Sequence, residues 1–366
     1  MSAYITGCGW VTPLGNRLDP VWERLMNGEK GEITMEKNLE TGRLHPVMPV
    51  PVKFVEHLSK VPRLRRASPI SYFSMAAGLA AMENAGVAIN SETAARTAVV
   101  FAVSNGAVVY TRRFYEQIVK GGSNTVSPML FPETVYNAPA SHLAAQLGID
   151  GPSYTLVGDA SVGISALAFA EQLLDTEDID RCVVVGAEEI DWILCEAHYA
   201  WRLSANIPQM DVFSKRPRGT ILSEGAGAVV VAREGQVKLS RIHPGISFSR
   251  RSEALPALKK VYGDLLANDT PDAVVSCANG TFVDAIEHSA LSMHCKTERV
   301  YAPKPSLGEA IGASSLLQVI VGWQSLQKQQ MPMPSAGNES GGFSASKVLV
   351  SCLGFNQQAS GLVIEL

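Results

Sequence analysis

Residues 151–163 read Gly-Pro-Ser-Tyr-Thr-Leu-Val-Gly-Asp-Ala-Ser-Val-Gly, which is typical of a strand that runs into a tight turn and then a helix. Such an elbow lifts one side chain above a sheet at the N-terminus of the helix. A cysteine thiolate placed there would be stabilised by the positive end of the helix dipole. The chain has Ala160 at this position, and a methyl group supplies no nucleophile. The pattern indicates a site for nucleophilic chemistry that lacks its reactive group.

Ser161, the next residue, is the nearest side chain able to act instead. A serine elbow of the form Gly-X-Ser-X-Gly requires glycine two residues before the serine, and this chain has Asp159 there. We therefore expect the Ser161 hydroxyl to cap the N-terminus of the helix. An acyltransferase or hydrolase that uses Ser161 with His288 stays open as an alternative.

Short β-branched runs alternate with helices rich in small residues, which predicts an α/β protein with a parallel or mixed sheet covered by helices. A second round of the same elements begins near residue 225, so we expect two similar halves, 1–225 and 226–366. The predicted strands are 3–8, 97–103, 155–157, 181–186, a run beginning at 225, 273–277, 347–352 and 360–365, and the predicted helices are 71–85, 138–147 and 162–174. Residues 331–346, rich in Pro, Gly, Ser and Asn, are predicted to form a surface loop.

The composition is that of an ordinary globular protein, with 366 residues, 46% of them hydrophobic and 18% charged. A net charge of −4 gives no general attraction for nucleic acid or for an anionic membrane. The six cysteines have no metal-ligand spacing and are expected to be reduced core thiols, so neither a metal nor another cofactor is predicted. No signal peptide or membrane-spanning run is recognised, and we expect a cytoplasmic protein.

Seven motifs, taken in order, resemble those of the β-ketoacyl synthases, which have the thiolase fold. Besides the elbow they are Ile5-Thr-Gly-Cys-Gly-Trp-Val-Thr-Pro-Leu-Gly-Asn16, Arg65-Arg-Ala-Ser-Pro69, Gly186-Ala-Glu188, the segment 213–227 containing Ser-Glu-Gly-Ala-Gly, Lys304-Pro-Ser-Leu-Gly308 and Leu353-Gly-Phe355. The resemblance runs over nearly the full chain. It implies two similar halves with mixed five-stranded sheets and buried helices in a layered α-β-α-β-α arrangement.

Catalytic members of that family use a cysteine and two histidines to carry the acyl chain and to stabilise the developing negative charge. Matching residue by residue places these positions at Ala160, Asn279 and Glu309. None of the three keeps the family's chemistry, so the resemblance implies a subunit that does not condense acyl units. Lys304, Glu224 and Phe355 occupy positions that the family retains.

A degenerate member of this kind resembles the chain-length factor of type II polyketide and aryl polyene pathways. Chain-length factors pair with an active ketosynthase, complete its acyl tunnel and limit product length, and the pair works with an acyl carrier protein. The resemblance therefore implies both partners here. The segment 106–117 is similar to the tunnel helix, with Val108, Thr111 and Tyr115 on one helical face and Asn137 also at the tunnel or interface. An ordinary interface or core stripe on this face stays open as an alternative. A homodimeric ligand-binding pseudoenzyme remains a further alternative.

Overall fold

A single sheet of ten strands runs through the computed structural model, which describes residues 2–176, 178–267, 269–333, 335, 343–355 and 358–366. A smaller sheet of three strands lies beside it. The strands are β1 (Ala3–Val11), β2 (Thr34–Lys37), β3 (Leu44–Met48), β4 (Thr97–Val103), β5 (Ser153–Val157), β6 (Arg181–Glu188), β7 (Leu222–Ser223), β8 (Gly225–Ala232), β9 (Val237–Ser247), β10 (Ala273–Val275), β11 (Val300–Tyr301), β12 (Lys347–Leu353) and β13 (Gln358–Glu365). Strands β2, β3 and β7 form the smaller sheet.

The ten-stranded sheet consists of two sets of five strands with the same internal order. The first set runs β1-β8-β6-β4-β5 and the second runs β9-β13-β12-β10-β11. When the strands of each set are numbered by their order along the chain, both sets have the spatial order 1-5-4-2-3. The fifth strand of each set, β8 or β13, is antiparallel to both of its neighbours. The second strand, β4 or β10, is parallel to both of its neighbours. The two sets meet where β1 pairs with β9 at Ala3–Leu239. This repeat agrees with the two similar mixed five-stranded halves expected from the sequence.

The strand pairing bears on where the halves divide. The proposed boundary after residue 225 falls at the first residue of β8, yet β8 pairs with β6 and β1 of the first set. The next strand, β9, begins at Val237 and pairs with β13 of the second set. We therefore place the proposed division in the connection between Ala232 and Val237.

The helices form layers on both sides of each set of five strands, which we call the first and second half-sheet. They are α1 (Leu18–Met26), α2 (Pro69–Asn84), α3 (Val108–Gly121), α4 (Phe131–Thr134), α5 (Ala138–Leu147), α6 (Val162–Leu174), α7 (Trp192–Ala200), α8 (Arg251–Leu266), α9 (Phe282–His294), α10 (Lys304–Leu307) and α11 (Ile311–Lys328). Short 3-10 helices cover 52–54, 56–60, 62–64 and 123–125. The predicted bounds of β4, α5 and α6 are those of the structure.

Alternation along the strands separates the layers. On β4, Val100 packs into the central core with α6 and α11, whereas its neighbour Phe101 packs with α2 on the opposite face. On β12, Val350 faces the central core and Leu349 packs against α8. The layers therefore follow one another as α2, the first half-sheet, α6 with α11, the second half-sheet, and α8 with α9. This order confirms the predicted five-layer arrangement.

Two features lie outside this layered core. Of the predicted loop 331–346, residues 334 and 336–342 lie outside the described residues, and the described ends include buried Met331 and Ala345. Within the described residues, no helix is both long and apolar enough to cross a bilayer.

Candidate functional site

The elbow predicted at residues 157–162 is confirmed. Strand β5 ends at Val157, α6 begins at Val162, and Ala160 lies between them with 1% of its surface exposed. Its amide donates to the Asp159 carboxylate at 2.8 Å, and its carbonyl accepts from the Cys352 thiol of β12 at 3.3 Å. The turn is thus held from both halves of the chain, and it presents only a methyl group.

Cys352 is a thiol next to the elbow that the motifs did not single out. It is fully buried, and burial raises the pKa of its thiol to about 12. Lys304 opposes that rise without cancelling it. Because nucleophilic attack requires the thiolate, Cys352 is unsuited to replace a nucleophile at residue 160.

Ser161 does not cap α6 as the sequence predicts. It occupies the N-cap position, but no backbone amide of α6 donates to its side chain. Its buried hydroxyl instead donates to Oε1 of Gln358 on β13 at 2.7 Å. That contact joins residues 197 positions apart, and no local pattern predicts it. The His288 ring packs against Phe213 on the other side of the second half-sheet, so the structure does not bring Ser161 and His288 into contact.

The other two matched positions, Asn279 and Glu309, do come together. Nδ2 of Asn279 donates to Oε2 of Glu309 at 2.7 Å, and Oδ1 of Asn279 accepts from the Thr281 hydroxyl at 2.6 Å. Nζ of Lys304 donates to the same Glu309 oxygen at 2.7 Å, and the Ser314 hydroxyl donates to the other oxygen at 2.6 Å. Both side-chain polar atoms of Asn279 and both carboxylate oxygens of Glu309 are therefore hydrogen-bonded within the protein.

Charge balance explains why a carboxylate is tolerated here. The Lys304 and Glu309 side chains are 2% and 0% exposed. Burial opposes the charge on Lys304, but the Glu309 carboxylate and the nearby thiols of Cys277 and Cys352 together outweigh burial and raise the pKa of the lysine above its usual value. A buried carboxylate without such a partner would cost several kcal/mol, roughly as for any isolated buried ion.

The backbone around Asn279 is fixed by the next helix. Asp284, in the first turn of α9, accepts hydrogen bonds from the amides of Asn279, Gly280 and Phe213. Gly280 has a φ of +79°, and a Cβ there would lie 2.7 Å from the Gly219 carbonyl oxygen. Glycine is therefore required for Asn279 to point towards Glu309.

A cavity of about 330 Å³ adjoins the elbow at Gly158 and Asp159. Phe355, predicted as a retained family position, lines it together with His198 of α7, and their rings meet edge to face at 5.6 Å. Sequence reasoning missed His198, because a single histidine in a helix carries no motif. Burial lowers the pKa of its imidazole, and Nδ1 lies 2.9 Å from the Leu194 carbonyl oxygen, so it is a neutral wall of the cavity.

Glu224 lies away from the elbow cavity. Its carboxylate accepts from the Val50 amide at 3.0 Å and receives a long contact from the Ile190 amide at 3.5 Å. Burial raises the pKa of this carboxyl to about 7. These contacts join the β3 side of the molecule to the end of β6, as expected of a residue that holds the fold.

The predicted tunnel face lies on the outside of the chain. Val108 and Thr111 of α3 are half-buried, and Tyr115 is 59% exposed. Asn137 is exposed and immediately precedes α5. Beside them, β5 pairs only with β4 among the described strands and therefore forms the edge of the sheet.

A second cleft, of about 610 Å³, opens next to Gly280 and Thr281. Its lining residues include three arginines, Arg202, Arg218 and Arg251. The cleft therefore carries positive charge beside Gly280, partly balanced where Asp211 pairs with Arg218 at 3.6 Å.

Comparison with known proteins agrees with this architecture. A family model described as "Beta-ketoacyl synthase, N-terminal domain" matches residues 3–236. The chain is 27% identical over 236 residues to 3-oxoacyl-(acyl-carrier-protein) synthase 2 of Vibrio cholerae, a match that covers 62% of this chain and 56% of that protein. The corresponding protein of Coxiella burnetii is 24% identical over 238 residues, with the same coverage. The matches thus span about half the length of these relatives.

Solved structures share the fold over the whole chain. A β-ketoacyl synthase from Burkholderia phymatum superposes with a TM-score of 0.85 at 17% identity, covering 100% of this chain and 99% of that one. The ishigamide ketosynthase/chain length factor gives 0.85 at 16% identity, covering 100% and 98%. A ketosynthase in complex with its chain length factor from Xenorhabdus doucetiae gives 0.81 at 17% identity, with the same coverage. With its doubled five-strand order, its elbow and the matched family model, the chain belongs to the β-ketoacyl synthase family.

Proposed function

We propose that this chain is a noncatalytic chain-length factor that pairs with an active β-ketoacyl-acyl carrier protein synthase, completes its acyl tunnel and limits the length of a polyketide or polyene chain. The observation that carries this proposal is Ala160, whose methyl group stands at the elbow where the family's acyl-carrying cysteine is expected. No thioester forms on alanine, and the neighbouring Ser161 hydroxyl and Cys352 thiol are both engaged and buried.

The Asn279–Glu309 pair supports the same function. Asparagine does not give up a proton near neutral pH, and an ionised glutamate opposes the negative charge that condensation develops. The Glu309 carboxylate is also committed to Lys304 and Ser314. These residues stabilise the fold of the site, and none of them is arranged for acyl transfer.

An apolar outer face supports a partner subunit. On the edge strand β5, Tyr154 is 42% and Val157 55% exposed, and on the helices α3 and α4 the residues Tyr115 and Phe131 are 59% and 56% exposed. An unpaired strand edge flanked by aromatic side chains is costly in a free monomer and favours pairing with another chain. The Xenorhabdus structure named above is, by its name, such a complex of ketosynthase and chain length factor.

The experiment that tests the proposal compares this chain alone with this chain plus its partner ketosynthase. Each preparation is incubated with acyl and malonyl carrier protein and examined by intact-protein mass spectrometry and by product analysis. We expect no covalent adduct and no condensation from the chain alone, and products only from the pair. A stoichiometric acyl adduct on this chain would contradict the proposal.

The same samples separate the two alternatives. Replacing Ser161 by Ala leaves product formation by the pair unchanged if the proposal is right, whereas loss of activity would favour a serine acyltransferase or hydrolase. Native mass spectrometry distinguishes the heterodimer from the homodimeric pseudoenzyme. A stable homodimer that does not exchange with the ketosynthase would favour the latter.

A further inference from the structure

Helix α3 is held in an unusual way. None of its 14 residues is buried, whereas every other described helix of nine or more residues buries at least three. Its neighbours α4 and the 3-10 helix at 123–125 contain no buried residue either. The position of a helix is ordinarily fixed by burial of an apolar face. Of its apolar side chains, half-buried Tyr110 packs against the core. Polar contacts therefore have an unusually large share in fixing α3.

Two carboxylates that follow β6 supply those contacts. Oε1 of Glu189 accepts from the Val109 amide at 2.8 Å, at the first turn of α3. Oδ2 of Asp191 accepts from Nε of Arg112 at 2.7 Å, one turn further along the helix. Glu189 is 0% exposed and Asp191 3%, so both anchors belong to the rigid interior.

Each carboxylate also holds a second element. Glu189 accepts from the Ser68 hydroxyl and from the Ile70 amide at the start of α2. Asp191 caps α7 by accepting from the Ile193 amide at 3.1 Å. The starts of α2, α3 and α7 are therefore tied to one short segment, and α3 is the one among them that has no buried residues of its own.

Arg112 is placed so that its anchor sets the rotation of the tunnel face. It lies four residues after Val108 and three before Tyr115, so the three side chains share one side of the helix. The guanidinium is 14% exposed and the Asp191 carboxylate 4%, so salt screens this pair less than a surface pair.

We propose that Glu189 and Asp191 are positioning residues for α3, and that the Arg112–Asp191 ion pair thereby sets where Val108, Thr111 and Tyr115 stand and how long a product the assembled enzyme makes. The part concerning product length rests on the proposed function. The anchoring itself is a property of this chain alone.

Two variants break the ion pair. Asp191→Asn keeps Oδ1 as the acceptor that caps α7 and removes the charge facing Arg112. Arg112→Met keeps a long side chain and removes the guanidinium, and with it the second contact that Arg112 makes, to Glu116 within α3. The control is Arg113→Met on the same helix, since Arg113 is exposed and its guanidinium lies over the Tyr110 ring.

Hydrogen–deuterium exchange of the purified chain tests the anchoring. We expect amides of residues 108–121 to exchange about tenfold faster in Asp191→Asn and in Arg112→Met, with no change elsewhere and none in Arg113→Met. If Asp191→Asn fails to fold, Arg112→Met is compared with Glu116→Gln, which weakens only the contact within α3 and should leave exchange of residues 108–121 nearly unchanged. Unchanged exchange in α3 of a folded Arg112→Met variant would overturn the anchoring.

The assembled pair tests the effect on product length. We expect Arg112→Met and Asp191→Asn to change the distribution of product lengths at unchanged total product, and Arg112→Lys to restore much of the original distribution. If Tyr115→Ala shifts product length but the two anchor variants do not, the positioning proposal is wrong and the proposed function stands. If Tyr115→Ala also has no effect, the tunnel assignment fails, and with it the claim about length.

Discussion

Nζ of Lys304 lies 2.7 Å from Oε2 of Glu309, and both side chains are closed off from solvent at the site where the family's second histidine is expected. The same oxygen accepts from Nδ2 of Asn279. Lys304, predicted to occupy a position that the family retains, is therefore paired with Glu309, predicted to replace a histidine of the family.

The first prediction concerns the stability of this buried pair. Glu309→Gln leaves Lys304 buried without a counter-charge, so we expect the free energy of unfolding to fall by about 3–5 kcal/mol. Lys304→Met leaves Glu309 unpaired and should cost a similar amount. Because each single variant strands its partner, the double variant should cost clearly less than the sum.

Urea titration of the original protein, the two single variants and the double variant measures their free energies of unfolding. The matched control is Glu29→Gln, which removes an exposed ion pair with Arg24 and should change stability by less than about 1 kcal/mol. A Glu309→Gln variant as stable as the control would show that the pair does not stabilise the fold.

The second prediction concerns product length. Tyr115→Ala removes bulk from the proposed tunnel face and should lengthen the products of the assembled pair, whereas Val108→Phe adds bulk and should shorten them, since a filled tunnel resists overpacking by about 1–3 kcal/mol. Chromatography of the products with mass detection measures the shift. Lys120→Ala, on a different side of α3, serves as the control and should have no effect. Unchanged distributions from both test variants would defeat the tunnel assignment.

The third prediction concerns the partner surface. Val157→Lys places a charge on the exposed edge strand β5 and should weaken association with the ketosynthase at least about tenfold, because a charge on an edge strand opposes pairing. Native mass spectrometry at fixed concentrations gives the fraction of heterodimer. Leu39→Lys, an equally exposed apolar position between β2 and β3, should leave association unchanged. Equal loss in both variants would point to general destabilisation instead.

The fourth prediction concerns pH. Burial raises the pKa of the carboxyls of Glu188, Glu189 and Glu224 to about 7. In the unfolded chain a glutamate has a pKa of about 4.3. Between pH 4.3 and 7, roughly, the folded protein therefore binds more protons than the unfolded one. The stability that these groups contribute is complete below about pH 4.3 and is lost as the pH rises through 7. We expect a lower free energy of unfolding at pH 8 than at pH 5.5.

Glu224→Gln isolates one of these groups. Its Oε1 receives only the 3.5 Å contact from the Ile190 amide, so an amide group is best tolerated there. The variant should show a shallower decline in stability between pH 5.5 and 8, whereas Glu92→Gln, at an exposed position, should decline like the original protein. Stability that rises over this range would contradict the prediction.

The elements and the elbow were predictable because their signals are local. Strand β4 alternates between two buried faces, and α6 follows a turn of small residues, so hydrophobic period and turn chemistry define both without reference to the rest of the chain. The local rule failed at Ser161. The side chain of an N-cap serine is expected to accept a hydrogen bond from its own helix, but the Ser161 hydroxyl donates to Gln358 of β13 instead.

The sequence alone determined that residue 160 carries no nucleophile, since the identity of a side chain does not depend on folding. It also determined the repeated order of strands and helices, through the spacing of apolar residues. Tertiary structure decided that Glu309 meets Lys304 and Asn279, that His198 walls the cavity beside the elbow, and that α3 is anchored by Glu189 and Asp191. These contacts join residues from separate elements, and their strength depends on burial and on distances that only the packed chain defines.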